Sequence, residues 1–145
     1  MRRNYQNSKQ GYREYLGVSV RSSWEANVLN WMNSQGYKWE YEPEIFYFEN
    51  IKRGTRGYTP DIKLIKKGRK KLDVWIEVKG YLKPQDQTKT KRFKKYYPEE
   101  FAKLQVITKN ANNASTKFYQ SMDIPIFAYY DDLVKANKLT LKNWE

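Results

Sequence analysis

The stretch L-D-V-W-I-E-V-K, residues 72–79, alternates between apolar and other side chains in a way that predicts a β-strand. Successive side chains of a strand point to opposite faces, so the apolar residues at every second position from Val74 to Val78 share one face. Glu77 and Lys79 then share the other face. The sequence therefore predicts a central strand from which a carboxylate and an ammonium group project to the same side.

The patterns on both sides of this strand predict an α/β fold around a central mixed sheet flanked by helices. Apolar residues recur at helical spacing from Ser22 to Gln35, and Gly36 has the position of a C-terminal cap. The predicted strands cover residues 39–48, 58–66, 72–79, 104–108 and 124–129, and the other predicted helices cover residues 85–97, 115–120 and 131–137. Pro43 indicates an edge position or a bulge for the first strand. Antiparallel strands come first and strand–helix alternation follows, which is typical of a mixed sheet.

Length and the character of the termini lead to further expectations. The first 20 or so residues are polar without a clear period, and they predict an irregular or weakly helical arm that orders on a partner. The chain has 145 residues and no repeat or Pro/Gly/Ser linker, so we expect a single domain. Its apolar runs are far too short to span a membrane and no secretory segment is visible, so we expect a soluble, cytoplasmic protein.

The chain contains neither cysteine nor histidine, which removes whole classes of chemistry. Disulfides, thiolate or imidazole metal sites, Ser-His and Cys-His nucleophile systems and a histidine base are all excluded. Carboxylate, lysine and hydroxyl chemistry remains. Any bound metal would be an oxygen-preferring cation, Mg²⁺ or in its place Mn²⁺.

The positive charge of the chain is confined to one stretch. The formal net charge is +12, from 28 basic and 16 acidic residues, and residues 51–98 hold 16 of the basic residues but only 4 of the acids. A local surplus of this kind is typical of proteins that bind nucleic acid. The basic residues expected to contact DNA phosphates are Arg53, Arg56, Lys83, Lys89, Lys91, Arg92 and Lys95. Alternatively, the positive surplus only keeps the protein soluble. The basic side of the predicted helix 85–97 is then a solvated face, and the basic loops at residues 52–56 and 66–71 are plain hairpin turns.

A candidate metal site lies in the hairpin that contains the central strand. Asp61 follows Pro60 at the start of the neighbouring strand, so its carboxylate can converge with Glu77 and Lys79. Asp61 and Glu77, with the carbonyl of Val78, could hold a divalent cation. Lys79 could orient or deprotonate an attacking water, or stabilise negative charge on a phosphate. Alternatively, Glu77 and Lys79 form a surface ion pair, and Asp61 serves the turn after Pro60.

The residues Pro60-Asp61 and Glu77-Val78-Lys79 resemble the signature of the PD-(D/E)XK nuclease superfamily. The resemblance implies a restriction-endonuclease-like core and magnesium-dependent hydrolysis of DNA phosphodiesters. It also implies that Glu25, on the preceding helix, belongs to the active site. Alternatively, Ser22 and Glu25 form a Ser-x-x-Glu capping box that uses this carboxylate on the helix terminus. The catalytic residues implied by the resemblance are Glu25, Asp61, Glu77 and Lys79.

Within that superfamily, a compact chain without added domains is similar to the small Holliday junction resolvases of phage and archaeal type. The similarity implies a homodimer that makes paired nicks in four-way DNA without reading sequence. One alternative is another nuclease of the same fold, such as a flap, nicking or restriction-like endonuclease. Another is a non-catalytic DNA-binding protein whose acidic residues serve structure.

Overall fold

The computed structural model of the protein describes residues 9–49, 51, 54–65 and 73–145. The strands in these residues are β1 (Gly11–Arg13), β2 (Val18–Val20), β3 (Lys38–Tyr41), β4 (Phe46–Tyr47), β5 (Gly57–Tyr58), β6 (Ile62–Ile65), β7 (Val74–Val78), β8 (Leu104–Thr108) and β9 (Ile126–Tyr129). The helices are α1 (Ser23–Ser34), α2 (Pro84–Tyr96), α3 (Pro98–Phe101), α4 (Ala114–Ser121) and α5 (Tyr130–Asn137). In the described part of the chain, no helix combines the length and apolar character needed to cross a bilayer.

The central sheet has five strands in the order β3-β6-β7-β8-β9. Strands β3, β6 and β7 pair antiparallel, whereas β7, β8 and β9 pair parallel. The predicted α/β class with a central mixed sheet is therefore confirmed. Strand β7, which the alternating stretch predicted, lies in the middle of the sheet and has buried residues throughout.

The two faces of β7 pack against different elements, as its alternation requires. Ile76 belongs to a core shared with Leu29 of α1, to which β2 and α5 also contribute. Trp75 belongs to a second core shared with Phe93 of α2 and Tyr119 of α4. The strands β4 and β5 pair with each other and cover this second face. Because both faces are covered, a polar side chain on β7 has access to solvent only near the end of the strand.

The helices predicted from the sequence are present with small shifts of their ends. Gly36, with φ of 77°, ends α1 in the left-handed region that favours glycine. Its N–H donates to the carbonyl of Asn33, and the N–H of Tyr37 donates to that of Met32, which together satisfy two free carbonyls of the last turn. Helix α2 begins at Pro84, where a missing N–H costs nothing.

Two of the predicted strands are wrong, because each is divided. Residues 39–48 form β3 and β4, which belong to different sheets, with Pro43 and the left-handed Glu42 (φ 45°) between them. Residues 58–66 are divided in the same way, since β5 ends before Pro60 and β6 begins after it. Proline has no backbone N–H to donate to a neighbouring strand, which explains why Pro43 and Pro60 interrupt the two predicted strands. Strand β3 does lie at the sheet edge, as Pro43 indicated. The segment between the second and third predicted strands, residues 67–71, lies outside the described residues.

The prediction of an irregular or weakly helical arm at the start of the chain is wrong for the part that is described. Strands β1 and β2 form an antiparallel hairpin, with Gly17 at positive φ in its turn. Val20 is fully buried, and Leu16 and Val18 pack against the same core as α1. Hydrophobic contact with the rest of the domain therefore orders this segment. Residues 1–8 lie outside the described part of the chain.

Glu145 fastens this hairpin and α1 to the last residues of the chain. The guanidinium of Arg13 donates to both carboxylate oxygens of Glu145, with Nε to Oε2 at 2.6 Å and Nη2 to Oε1 at 2.9 Å. The side-chain amide of Asn27 accepts from the Glu145 N–H and donates to the Glu145 carbonyl. The start of α1, where Glu25 lies, is thus held by contacts distant in sequence.

Candidate active site

A cleft of about 260 Å³ opens at the carboxyl end of β7, between the start of α1 and the first turns of α2. All four residues that the sequence analysis assigned to catalysis line it, namely Glu25, Asp61, Glu77 and Lys79. Asp61 immediately precedes β6. Glu77 lies near the end of the paired strand β7, and Lys79 directly follows that strand. The fold therefore brings the predicted residues together.

Asp61 is almost completely buried, with 7% of its surface exposed. Its Oδ2 accepts a hydrogen bond from the N–H of Val78 at 2.8 Å, so its side chain serves the neighbouring strand and not the turn after Pro60. Among the described residues, no hydrogen-bond donor reaches Oδ1. Burial, together with repulsion from Glu77 and Glu25, raises the pKa of Asp61 well above its usual range. The cleft thus holds a carboxylate whose charge lacks full compensation.

Glu77 is buried as well, with 6% of its surface exposed, so it does not form the surface ion pair considered above. Its Oε1 accepts a hydrogen bond of 2.6 Å from the hydroxyl of Tyr58, and its Oε2 lies 3.6 Å from Lys79 Nζ. The contact with Lys79 agrees with the shared strand face that the alternation predicted. Burial raises the pKa of Glu77, although Lys79 and the Tyr58 hydroxyl oppose this effect.

Lys79 has two carboxylate partners in the cleft. Its Nζ lies 3.3 Å from Oδ1 of Asp86, closer than the 3.6 Å to Glu77. Burial alone would lower the pKa of this lysine, but Glu77, Asp86 and Asp61 outweigh burial and raise it. Lys79 is therefore an ammonium group at neutral pH, suited to stabilise negative charge and unsuited to accept a proton.

Close packing fixes the backbone immediately after Lys79. A Cβ on Gly80 would lie 3.0 Å from the ring of Trp24, so the strand passes the indole at a distance that only glycine permits without adjustment. Trp24 stacks on Tyr130 of α5 with ring centroids 4.0 Å apart. Since Trp24 precedes Glu25, this contact sets the position of the start of α1 relative to the end of β7.

Glu25 combines the two roles that the sequence analysis considered. The hydroxyl of Ser22 accepts from the Glu25 N–H at 3.2 Å, which is the first half of the capping box. The Glu25 carboxylate, however, accepts from the N–H of Arg21 at 2.9 Å and from the hydroxyl of Tyr41 at 2.7 Å, and not from Ser22. The same buried carboxylate faces the cleft closely enough to raise the pKa of Asp61.

Sequence reasoning missed several residues of the cleft. Asp86 and Thr90 on α2, Tyr58 on β5 and Tyr119 on α4 all line it. Only Asp86 had a local signal in the sequence, since it is the third residue of a helix that begins with proline. In the structure its carboxylate accepts a hydrogen bond from the N–H of Lys83. Tyr58 reaches Glu77 because β5 crosses the second face of the sheet, which no local pattern shows. Among the described residues, no group of three or more acidic side chains is arranged as a metal site by itself.

The basic residues predicted to contact DNA fall into distinct environments. Lys89 lines the cleft. Arg92 donates to the carbonyl of Thr55 at 2.6 Å and so fastens α2 to the loop before β5. Arg53 lies outside the described residues. The remaining predicted contacts are exposed, namely Arg56, Lys83, Lys91 and Lys95. At about 100° per residue, Lys91 and Lys95 lie on a different face of α2 from Lys89, so the exposed basic groups of this helix do not all border the cleft.

Comparison with known proteins adds little to this description. No family model matches the sequence, and no curated protein matches it. One solved structure, the crystal structure of a protein of unknown function, AF1548, is similar to the chain with a TM-score of 0.47 at 14% sequence identity. The match covers 79% of this chain and 66% of that one, so the chain spans just under two thirds of the length of AF1548. A likeness at this level supports no inference about function.

Proposed function

We propose that the protein is a metal-dependent endodeoxyribonuclease with a restriction-endonuclease-like core, which resolves four-way (Holliday) junctions by paired nicks as a homodimer. The observation that carries the proposal is that Asp61, Glu77 and Lys79 meet in one cleft at the end of two paired strands. Two buried carboxylates and a lysine in that order are the groups that the resemblance to PD-(D/E)XK nucleases assigns to phosphodiester hydrolysis.

The acidic groups of the cleft fit a hard divalent cation. Asp61 is a buried carboxyl group whose pKa is raised by burial and by repulsion from Glu77 and Glu25, and a bound cation would stabilise its ionised form. Asp61, Glu77 and the carbonyl of Val78 would hold Mg²⁺ or Mn²⁺, with water completing the coordination shell. The bound ion would polarise the phosphodiester and lower the pKa of a coordinated water.

Lys79 and the basic residues of α2 would act on the phosphates of the substrate. Lys79 remains protonated beside Glu77 and Asp86, so its ammonium would stabilise the negative charge that develops at the scissile phosphate. Lys89 at the cleft would bind a phosphate that flanks it, whereas Lys91 and Lys95, exposed on another face of the same helix, would bind phosphates farther along the DNA. Contacts of this kind read the path of the backbone and not the base sequence, as a junction-selective enzyme requires.

The test is cleavage of a labelled four-way junction beside a linear duplex with the same arm sequence, in Mg²⁺ and in Mn²⁺. Wild type is compared with Asp61→Asn, which can keep the hydrogen bond from Val78 through its amide oxygen but loses the charge. The matched control is Asp123→Asn. Asp123 is exposed and has φ of 60°, a conformation that asparagine accepts readily.

Paired nicks in the junction alone, by wild type and the control but not by Asp61→Asn, are the expected result. Comparable cutting of the duplex would identify a flap, nicking or restriction-like endonuclease of the same fold and would overturn the junction specificity. Binding of the junction without cleavage in either metal would overturn the catalytic proposal and indicate a non-catalytic DNA-binding protein.

A further inference from the structure

Asp86 uses its two carboxylate oxygens for two different tasks. Oδ2 accepts the N–H of Lys83 at 2.8 Å and so caps the start of α2. Oδ1 lies 3.3 Å from Nζ of Lys79, at the end of β7. The side chain of Asp86 is only 13% exposed, so this contact is largely shielded from water. One side chain therefore connects the first turn of the basic helix to the lysine of the cleft.

Lys79 needs such a partner because a lysine side chain has four rotatable bonds and no fixed plane. Its other anionic neighbour, Glu77, is 3.6 Å away and is a metal ligand in the proposed function. A carboxylate that binds a cation interacts less strongly with an ammonium group, so Glu77 alone would hold Lys79 weakly during the reaction. Asp86 comes from a different element, and its charge acts on Glu77 across the same cleft.

We propose that Asp86 is a positioning residue, which holds the Lys79 ammonium at the reacting phosphate and links its position to the seating of α2 on the DNA. This inference rests on the proposed function. In this role Asp86 acts through Lys79, whose Nζ lies 3.3 Å from its Oδ1. Movement of α2 along the DNA backbone would therefore shift the lysine in the cleft, so phosphate binding by the helix and chemistry in the cleft are coupled through one carboxylate.

The first test is steady-state cleavage of the four-way junction by Asp86→Asn and Asp86→Glu. The amide oxygen of asparagine can still cap α2, whereas the charge that holds Lys79 is lost. We expect kcat to fall on the order of 10- to 100-fold, as is usual when a catalytic group is displaced by a fraction of an ångström to an ångström. KM and junction affinity should stay within about threefold, because α2 keeps its basic residues. Asp86→Glu, which retains both the charge and a good capping group at this helix position, should recover most of the loss.

Glu99→Gln is the matched control, since Glu99 is an exposed acid in the first turn of α3 and also follows a helix-initiating proline. It should leave kcat unchanged. An unchanged kcat in Asp86→Asn, or an equal loss of kcat and affinity, would overturn the positioning role while leaving the nuclease proposal intact. A wild type that cleaves no DNA would overturn both.

A second measurement needs no catalytic activity. Urea unfolding of Asp86→Asn, Lys79→Met and the double variant forms a double-mutant cycle. If the two side chains hold each other, the double variant lowers the urea midpoint by less than the sum of the single variants. Additive shifts would show that the contact contributes nothing in solution and would overturn the inference, whatever the cleavage assay gives.

Discussion

Replacing Lys79 by methionine tests whether the cleft is as well shielded as its geometry indicates. The change removes the ammonium group but keeps an unbranched side chain of similar length. Among the described residues, Glu77 then keeps only the hydroxyl of Tyr58 as a hydrogen-bond partner. The reference is Lys103→Met, because Lys103 lies 3.5 Å from Glu100, nearly the 3.6 Å that separates Lys79 from Glu77. Glu100 also keeps one neutral donor, the indole N–H of Trp75.

Distance does not distinguish the two pairs, but exposure does. Coulomb's law gives about 5 kcal/mol for either separation at an effective dielectric constant of about 20. The side chains of Lys103 and Glu100 are 42% and 32% exposed, and such pairs contribute about 0–1 kcal/mol after screening by water. Glu77 is only 8% exposed in its side chain, and loss of one partner of a buried pair costs about 3–5 kcal/mol. Since 21% of the Lys79 side chain is exposed, we expect the lower end of that range, about 3 kcal/mol, for Lys79→Met.

The loss of stability caused by Lys79→Met should also depend on pH in a defined direction. Lys79 lowers the pKa of Glu77, so the variant raises it further above the ordinary value of 4.5. Below that ordinary value Glu77 is protonated in both the folded and unfolded chain, so the part of the penalty that comes from Glu77 is absent and the lost contact with Asp86 remains. The part from Glu77 appears as the pH rises from the folded-state pKa of Glu77 in the wild type toward the higher folded-state pKa in the variant, and it is complete above the latter.

Urea unfolding followed by far-UV circular dichroism at pH 4.5 and pH 8 measures both effects for each variant. We expect a large loss of stability for Lys79→Met at pH 8, a smaller one at pH 4.5, and little change for Lys103→Met at either pH. Equal losses for the two variants at pH 8, or a loss for Lys79→Met that does not depend on pH, would show that water screens the cleft and would refute this reasoning.

Three further changes have defined outcomes. Asp61→Asn should raise the thermal midpoint at pH 8 without divalent cations, because the raised pKa of Asp61 means that its ionised form destabilises the folded state. This gain in the midpoint should shrink as the pH falls toward 3.8, and calorimetry that shows no gain at pH 8 would contradict the prediction. Gly80→Ala should destabilise the protein by about 1–3 kcal/mol, since the new Cβ would press on Trp24, and an unchanged urea midpoint would show that the indole moves freely. Tyr58→Phe removes the donor to Glu77 and should cost about 1.5–3 kcal/mol at pH 8, whereas Tyr47→Phe, at an exposed ring, should change stability by less than about 0.5 kcal/mol in the same unfolding assay.

The parts of the site that local patterns determine could be predicted from the sequence. Alternation over residues 72–79 placed Glu77 and Lys79 on one face, and their 3.6 Å contact agrees with this. The turn proline before Asp61 and the hairpin arrangement brought Asp61 to the neighbouring strand. These relations depend on neighbours along one or two adjacent strands, and the strand period is sufficient to reveal them.

The rest depends on how distant elements pack. Asp86 reaches Lys79 only because α2 lies across the second face of the sheet, and Tyr58 reaches Glu77 only because β5 pairs with β4 above that face. The hairpin β1–β2 was missed for a related reason, since its strands have three residues each and alternation over three residues has no statistical weight. Its order comes from burial of Val20 and from contacts on the other side of the domain.

The contacts of Glu145 also bear on the order in which the domain folds. Its partners Arg13 and Asn27 are 132 and 118 residues away along the chain. Closing loops of this length costs little more stability than closing shorter ones, about 0.6 kcal/mol per doubling, but contacts of such separation are slow to form. Strands β6, β7 and β8, which are near one another in sequence, can pair earlier. The contacts of Glu145 with Arg13 and Asn27 are therefore expected to form late, after the strands that carry Asp61 and Glu77 have paired.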